Sequence, residues 1–224
     1  MNKKGKSDAT NRAYSKIKDM IWHYRLVPSQ NISYIELSGA LGMSQTPIIN
    51  ALHRLEQEEF VVSLPNRGFF IKEIDIKEVN ELCLVQETLE IMAVEASVKH
   101  KTSNQLKELE KAWTIHRNHQ SESVTREKQI LDMIFHLKIA EMSNNNSLLK
   151  LIKHIYERIY LNYRSDLANP RRVLDAKDEH MKIFNAIKDG QSSLAKKFMR
   201  QHLRGALIAI NKEAHEKKAT EFTF

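Results

Sequence analysis

Residues 37–70 read LSGALGMSQTPIINALHRLEQEEFVVSLPNRGFF, and the hydrophobic period changes once within them. Behind Ser44, the residues Ile48, Ala51, Leu52 and Leu55 recur at helical spacing, with Pro47 in the first turn where a missing N–H costs nothing. Upstream, Ser33 is placed to cap a short helix carrying Ile35, Leu37, Ala40 and Leu41. Gly42 then allows the positive φ of a sharp turn. Downstream, Phe60 to Leu64 and Phe69 to Ile74 are β-branched or aromatic runs separated by Pro65, Asn66, Arg67 and Gly68, the pattern of a β-hairpin. Two helices joined by a tight glycine turn and followed at once by a hairpin predict a winged helix-turn-helix.

Working outward, Tyr14, Ile17, Ile21 and Tyr24 predict a first helix over 13–26, stopped by Pro28. After Asp75 the strand signal ends. Six amphipathic segments follow, over 77–99, 103–119, 124–142, 146–164, 170–188 and 192–216, punctuated by Ser121, Asn144 to Asn146, Pro170 and Gly190. Short connections make neighbouring helices antiparallel. The expected fold class is mostly α, with a winged helix-turn-helix domain over 1–75 and an all-α antiparallel helical bundle over 76–224.

Composition agrees. The 224 residues are 42% hydrophobic, enough for a packed core, while only 6 Gly and 4 Pro argue against a turn-rich sandwich. The net charge of +7 suits a polyanionic partner. Lys3, Lys4, Lys6, Arg12, Lys16, Lys18 and Arg25 face only Asp8 and Asp19 over the first thirty residues, so this end is either a phosphate-contacting lead-in or a solubilising tail. The single cysteine, Cys83, lies in a helical apolar pattern and reads as a buried structural thiol of a reducing compartment. No stretch has the apolar length of a membrane span or signal core, which places the expected protein in the cytoplasm, away from membranes.

Leu-Gly-x-Ser at 41–44, Thr46-Pro47, Ala51-Leu52, Arg54-Leu55-Glu56 and Arg67-Gly68 form an ordered set that resembles the N-terminal domain of GntR-family transcriptional regulators. The resemblance implies double-stranded operator DNA as partner. Ser44, Gln45 and Thr46 stand at the recognition-helix N-terminus, which favours a phosphate, and Asn50 lies one turn on for base edges. Arg54, Arg67 and Gly68 would add backbone and minor-groove contacts. Gln45 and Ile49 stand where the family usually has arginines and Asn50 where it has glutamate. The helix therefore lacks two guanidinium donors to guanine, and its amides suit adenine.

Asp132 and His136 are one turn apart on a face shared with Phe135, Ile139 and Met142. His180 falls in the stripe of Val173, Ile183, Phe184 and Ile187, and His202 in that of Ala195, Phe198, Ala206 and Ala209. Three helices thus each turn a ligand-type side chain inward. One Asp and three His make an N/O set for a divalent transition metal, Zn, Ni, Mn, Fe or Co, with positions left for water or a carboxylate. His23, His53, His100, His116, His119, His154 and His215 read as surface residues.

Asp-x-x-Phe-His at 132–136, Glu179-His180 and, 22 residues later, His202-Leu203 resemble the FadR-type ligand-sensing domain of that family in its metal-binding form. That resemblance implies a small organic acid as effector. It also places Gln86 and Glu90 where the family commonly has an arginine and a glutamate; a neutral amide there either contacts the effector or simply bonds Glu90. Arg158, with Tyr156, Tyr160, Tyr163 and Arg164, is the other candidate for effector contacts. The leading expectation is a homodimeric, ligand-responsive repressor, since one recognition helix and one wing read only a half-site. It is not expected to be an enzyme. The alternatives are a metal-dependent hydrolase, which would need a general base by the metal, and a sensor scaffold that has lost DNA binding.

Overall fold

The computed structural model describes residues 3–119, 126–162 and 170–221, with side chains over 8–119, 127–161 and 176–215. Ser121, Tyr163 and Arg164 lie outside the described residues, as do the side chains of Lys3, Lys4, Lys6 and Val173. Twelve elements are present among the described residues. The first six are α1 (Lys3–Trp22), β1 (Asn31–Ile32), α2 (Tyr34–Leu41), α3 (Gln45–Gln57), β2 (Val61–Leu64) and β3 (Gly68–Ile71). Six helices follow: α4 (Ile76–His100), α5 (Ser103–Asn118), α6 (Arg126–Met142), α7 (Asn146–Asn162), α8 (Pro170–Lys188) and α9 (Ser192–Glu221). The chain divides into two compact units, one running to Ile74 and taking in the end of α7 from Arg158, the other holding Asp75–Glu157 and the later helices.

In the N-terminal unit, Ile17 and Ile21 of α1, Ile48, Leu52 and Leu55 of α3 and Phe60 before the wing are all fully buried. Burying such side chains contributes about 1.5–3 kcal/mol each, which is what seats α3 on α1 and the sheet. Ser33 caps α2 as its position predicts, accepting from the Glu36 N–H at 3.2 Å. Ser44 occupies the N-cap position of α3, yet its side chain makes no capping hydrogen bond. The wing has strand order β1-β3-β2, antiparallel throughout, with Val62 opposite Phe70 and Leu64 opposite Gly68.

Two elements depart from the sequence pattern. Two residues of β1 are too few to show a period, and they are fixed instead by pairing Asn31 with Phe70 and Ile32 with Phe69. α1 begins well before 13 and ends at Trp22 rather than 26. It stops because Tyr24 takes a positive φ of 53° and the Arg25 and Leu26 N–H groups both return to the Met20 carbonyl.

Gly42 sits at φ 62°, ψ 38°, and its N–H closes back on Gly39. A Cβ there meets nothing within 4 Å, so the cost of adding one is conformational only. Gly42→Ala should therefore destabilise the N-terminal unit by about 1–2 kcal/mol, read as a lower urea midpoint with an unchanged slope. An unchanged midpoint would contradict the left-handed turn.

In the second unit, Asp75 caps α4 by accepting from the Glu78 N–H at 2.8 Å, and Thr102 with Gln105 forms a capping box at α5. α9 packs on α4 and α8, α6 on α4 and α5, and α8 on α5. The register of α9 on α4 is marked by Glu87, which accepts from Arg204 at 2.8 and 2.9 Å and from Arg200 at 3.2 Å. The Arg204 hydrogen bond chiefly holds the Glu87 carboxyl below its ordinary range. Asn80 and Asn211 exchange side-chain amide bonds at 3.0 and 2.8 Å on the same pair of helices. No helix among the described residues is long and apolar enough to cross a membrane.

Candidate functional site

The bundle places Asp132 and His136 on α6, His180 on α8 and His202 on α9 with their ligating atoms all within 4.8 Å of one another. All three histidines are buried and Asp132 is half-buried. Packing makes this so: Phe135 stacks on the His180 ring at 4.1 Å, and Ile139, Ile183 and Ile187 are sealed from solvent on the same stripes. His136 Nε2 lies 3.1 Å from His202 Nε2, which lies 3.3 Å from His180 Nε2, and His180 Nε2 is 3.4 Å from Asp132 Oδ1.

Carboxylates behind the rings fix the tautomers. Glu90 meets His136 Nδ1, and Glu179 lies 2.7 Å from His202 Nδ1. A carboxylate only accepts, so both Nδ1 atoms carry the proton and donate, and both Nε2 lone pairs turn inward. Inward lone pairs this close repel unless a metal cation or a shared proton lies between them. Metal–ligand bonds of about 2.0–2.2 Å put neighbouring donors roughly 3 Å apart and opposite donors roughly 4 Å apart, which fits the observed spacing. The donor set therefore suits a divalent transition ion.

Glu90 is the hub of this arrangement. It is 1% exposed, accepts from Gln86 Nε2 at 2.9 Å and from the Tyr156 hydroxyl at 2.7 Å, and orients His136 with its second oxygen. Gln86, one of the two expected effector contacts, is thus buried and donates to Glu90 on its own helix. Arg158, the other, falls in the N-terminal unit, where its guanidinium pairs with Glu59. On α7 the residue that reaches Glu90 is Tyr156, through its hydroxyl.

His116 corrects the sequence expectation of a surface residue. It is 1% exposed, in the buried stripe of Leu109 and Ala112, and its ring centre lies 4.8 Å from that of His180. Burial pushes its imidazole down to about 4, so it is neutral. Lys128, one turn before Asp132 on α6, is also buried, and burial, then Lys177, lowers its ammonium below the ordinary range while Asp132 opposes this. The Cys83 thiol is half-buried, and burial raises it to about 11, in keeping with an unreactive thiol.

In the N-terminal unit, Ser44, Gln45, Thr46 and Asn50 are exposed along the first turns of α3, and Arg67 and Gly68 are exposed at the wing tip. The Asn31 amide donates to the Arg67 carbonyl at 3.1 Å and holds that tip. Arg54 behaves differently from the others. Its guanidinium lies over the Tyr14 ring at 3.9 Å and donates to Glu58 and Asn11 at 3.1 and 3.2 Å, which ties α3 to α1.

Sequence reasoning gave Glu179 no role of its own, read His116 as a surface residue and passed over Lys128. The signals existed: Glu179 adjoins His180, His116 continues the spacing of Leu109 and Ala112, and Lys128 is four residues before Asp132.

Comparison with known proteins gives a consistent result. Residues 81–205 match the FCD domain, and residues 9–71 match the bacterial regulatory proteins of the gntR family. The chain is 28% identical over 200 residues to the HTH-type transcriptional regulator YdhC of Bacillus subtilis, covering 84% of this chain and 85% of that one. It is 27% identical over 183 residues to the Nta operon transcriptional regulator of Aminobacter aminovorans, covering 82% and 84%. The solved structure of Escherichia coli McbR/YncC superposes with a TM-score of 0.80 at 21% identity, covering 92% of this chain and 98% of that one. At that identity the likeness speaks for the fold alone.

Proposed function

This chain belongs to the GntR family of bacterial regulatory proteins, as a DNA-binding transcriptional regulator with an FCD domain, and we propose that it is a repressor whose grip on operator DNA is set by a small organic acid at a metal in that domain. The observation that carries this reading is the convergence of Asp132, His136, His180 and His202, each from a helix of the bundle, with Glu90 and Glu179 behind two of the rings. A bound divalent ion would polarise and orient a ligand carboxylate. The chain's own part is to present neutral Nε2 donors and to exclude bulk water with Phe135 and the surrounding aliphatic residues.

On DNA, the reading takes two copies of the chain on a palindrome, each placing the first turns of α3 in a major groove. Ser44 and Thr46 face phosphate at the helix N-terminus, Gln45 and Asn50 face base edges, and Arg67 and Gly68 of the wing follow the backbone. Arg54 contributes by seating α3 against α1. A hydrolytic reading is disfavoured because Glu90 and Glu179, the carboxylates behind the rings, are engaged by His136 and His202 and so are poor general bases.

The test is fluorescence anisotropy of the full-length, metal-loaded chain on DNA from its own upstream region, with and without a panel of small carboxylic acids. A repressor relieved by its effector should lose about tenfold or more in affinity, the scale of an ordinary allosteric coupling. If every acid leaves the isotherm unchanged, the effector reading fails.

Specificity gives a separate expectation. Gln45 is exposed at the start of α3, so Gln45→Arg should gain a guanine preference at one half-site position worth about 1–3 kcal/mol, with folding hardly affected. Selection of sites from random DNA by both forms checks this. Identical base preferences would show that Gln45 does not face the groove.

A further inference from the structure

We propose that His116 of α5 and Lys128 of α6 form the ligand-contacting wall of the metal site, and that the site's charge balance selects a small monocarboxylate bearing a second polar group over a dicarboxylate. The inference rests on the metal-and-effector reading above and extends it to residues outside the four-donor set.

Geometry supports it first. The His116 ring stands against the His180 ring, fully buried, and its Nδ1 has no hydrogen-bond partner among the described residues. A buried nitrogen left so in a native fold calls for a ligand or water to complete it. Lys128 brings a buried ammonium to the α6 face that carries Asp132, and both Lys128 and Asp132 act electrostatically on His116.

Charge decides the ligand class. Asp132, Glu90 and Glu179 bring three negative charges, which a divalent ion and the buried Lys128 ammonium balance, while Lys177, which also acts on Lys128, is only half-buried and screened by water. One added carboxylate leaves a single buried excess charge, whereas a dicarboxylate leaves two, and uncompensated buried charge is expensive. The carboxylate belongs between the ion and Lys128, and a hydroxyl or keto oxygen beside it reaches the His116 side.

The experiment uses the full-length chain loaded with cobalt(II), whose visible spectrum responds when an acid enters the coordination sphere. Glycolate and malonate, close in size and different in charge, are the probes, and bound cobalt is counted by elemental analysis. Glycolate should bind the wild type about tenfold or more tightly than malonate. His116→Leu, His116→Gln and Lys128→Met should keep their cobalt and circular dichroism yet weaken glycolate by about tenfold. Lys128→Arg, which keeps the cation, should stay near the wild type.

Variants that hold cobalt and bind glycolate like the wild type would overturn the proposal, as would tighter malonate binding or no spectral response to either acid at millimolar concentration. A wild-type chain that takes up no cobalt would instead remove the metal reading itself, and this proposal with it.

Discussion

His202→Ala purified from cells should carry metal near background, against about one ion per chain in the wild type, with affinity down by more than about 100-fold. The magnitude follows from position: loss of a partner behind a ligand typically costs about 10–100-fold, and His202 is itself a ligand. It is also the middle member of the cluster, 3.1 Å from His136 Nε2 and 3.3 Å from His180 Nε2. The α1, α3 and wing core lies in the other compact unit, so the variant should keep cooperative unfolding of that unit. Elemental analysis together with urea unfolding checks both halves. Full metal occupancy would remove the site as assigned.

Glu90→Gln is the second large effect. The carboxylate accepts from Gln86 and Tyr156 and orients His136, all in a buried setting. An amide keeps the volume but has a single accepting oxygen: turned toward His136, it points its NH₂ at the Gln86 amide and the Tyr156 hydroxyl, which must both reverse to accept, and turned the other way it sets its NH₂ against the His136 Nδ1–H. Metal affinity should fall about 10–100-fold, and the bundle should lose roughly 1–3 kcal/mol for the disrupted buried hydrogen bonds. Chelator competition reads the first and the urea midpoint reads the second. Gln86→Ala removes only one donor and should shift metal affinity far less. Equal effects of the two substitutions would place the hub elsewhere.

The parts of this molecule that were legible in sequence share a physical cause. Helices α4 to α9 each carry a long apolar stripe, so their periods declare them and also show that His136, His180 and His202 point inward. Gly42 and Ser33 declare a turn and a cap through local backbone demands, which tertiary packing does not alter. What was hidden depends on partners far away in the chain. β1 exists only because β3 offers it a ladder, and the early end of α1 depends on a positive φ at Tyr24, a residue type that gives no warning. Glu90 reads as the neighbour of Gln86 until Tyr156, 66 residues on, and His136, 46 on, close around it. His116 had the right spacing, but charged neighbours along α5 masked the stripe. Arg158, a candidate effector contact in the sequence, has a partner that sequence could not show, 99 residues earlier in the chain: its guanidinium pairs with Glu59.

A DNA titration of the intact, metal-loaded chain decides whether the winged helix and the bundle serve the function assigned to them. A duplex recovered by selection from random DNA is compared with its scrambled counterpart at one fixed salt concentration. Sequence-specific regulators separate such duplexes by about a thousandfold or more, and that separation is the expected result. Equal affinity for the two duplexes would mean that α3 reads no sequence, and the assignment of this chain as an operator-binding regulator would be contradicted.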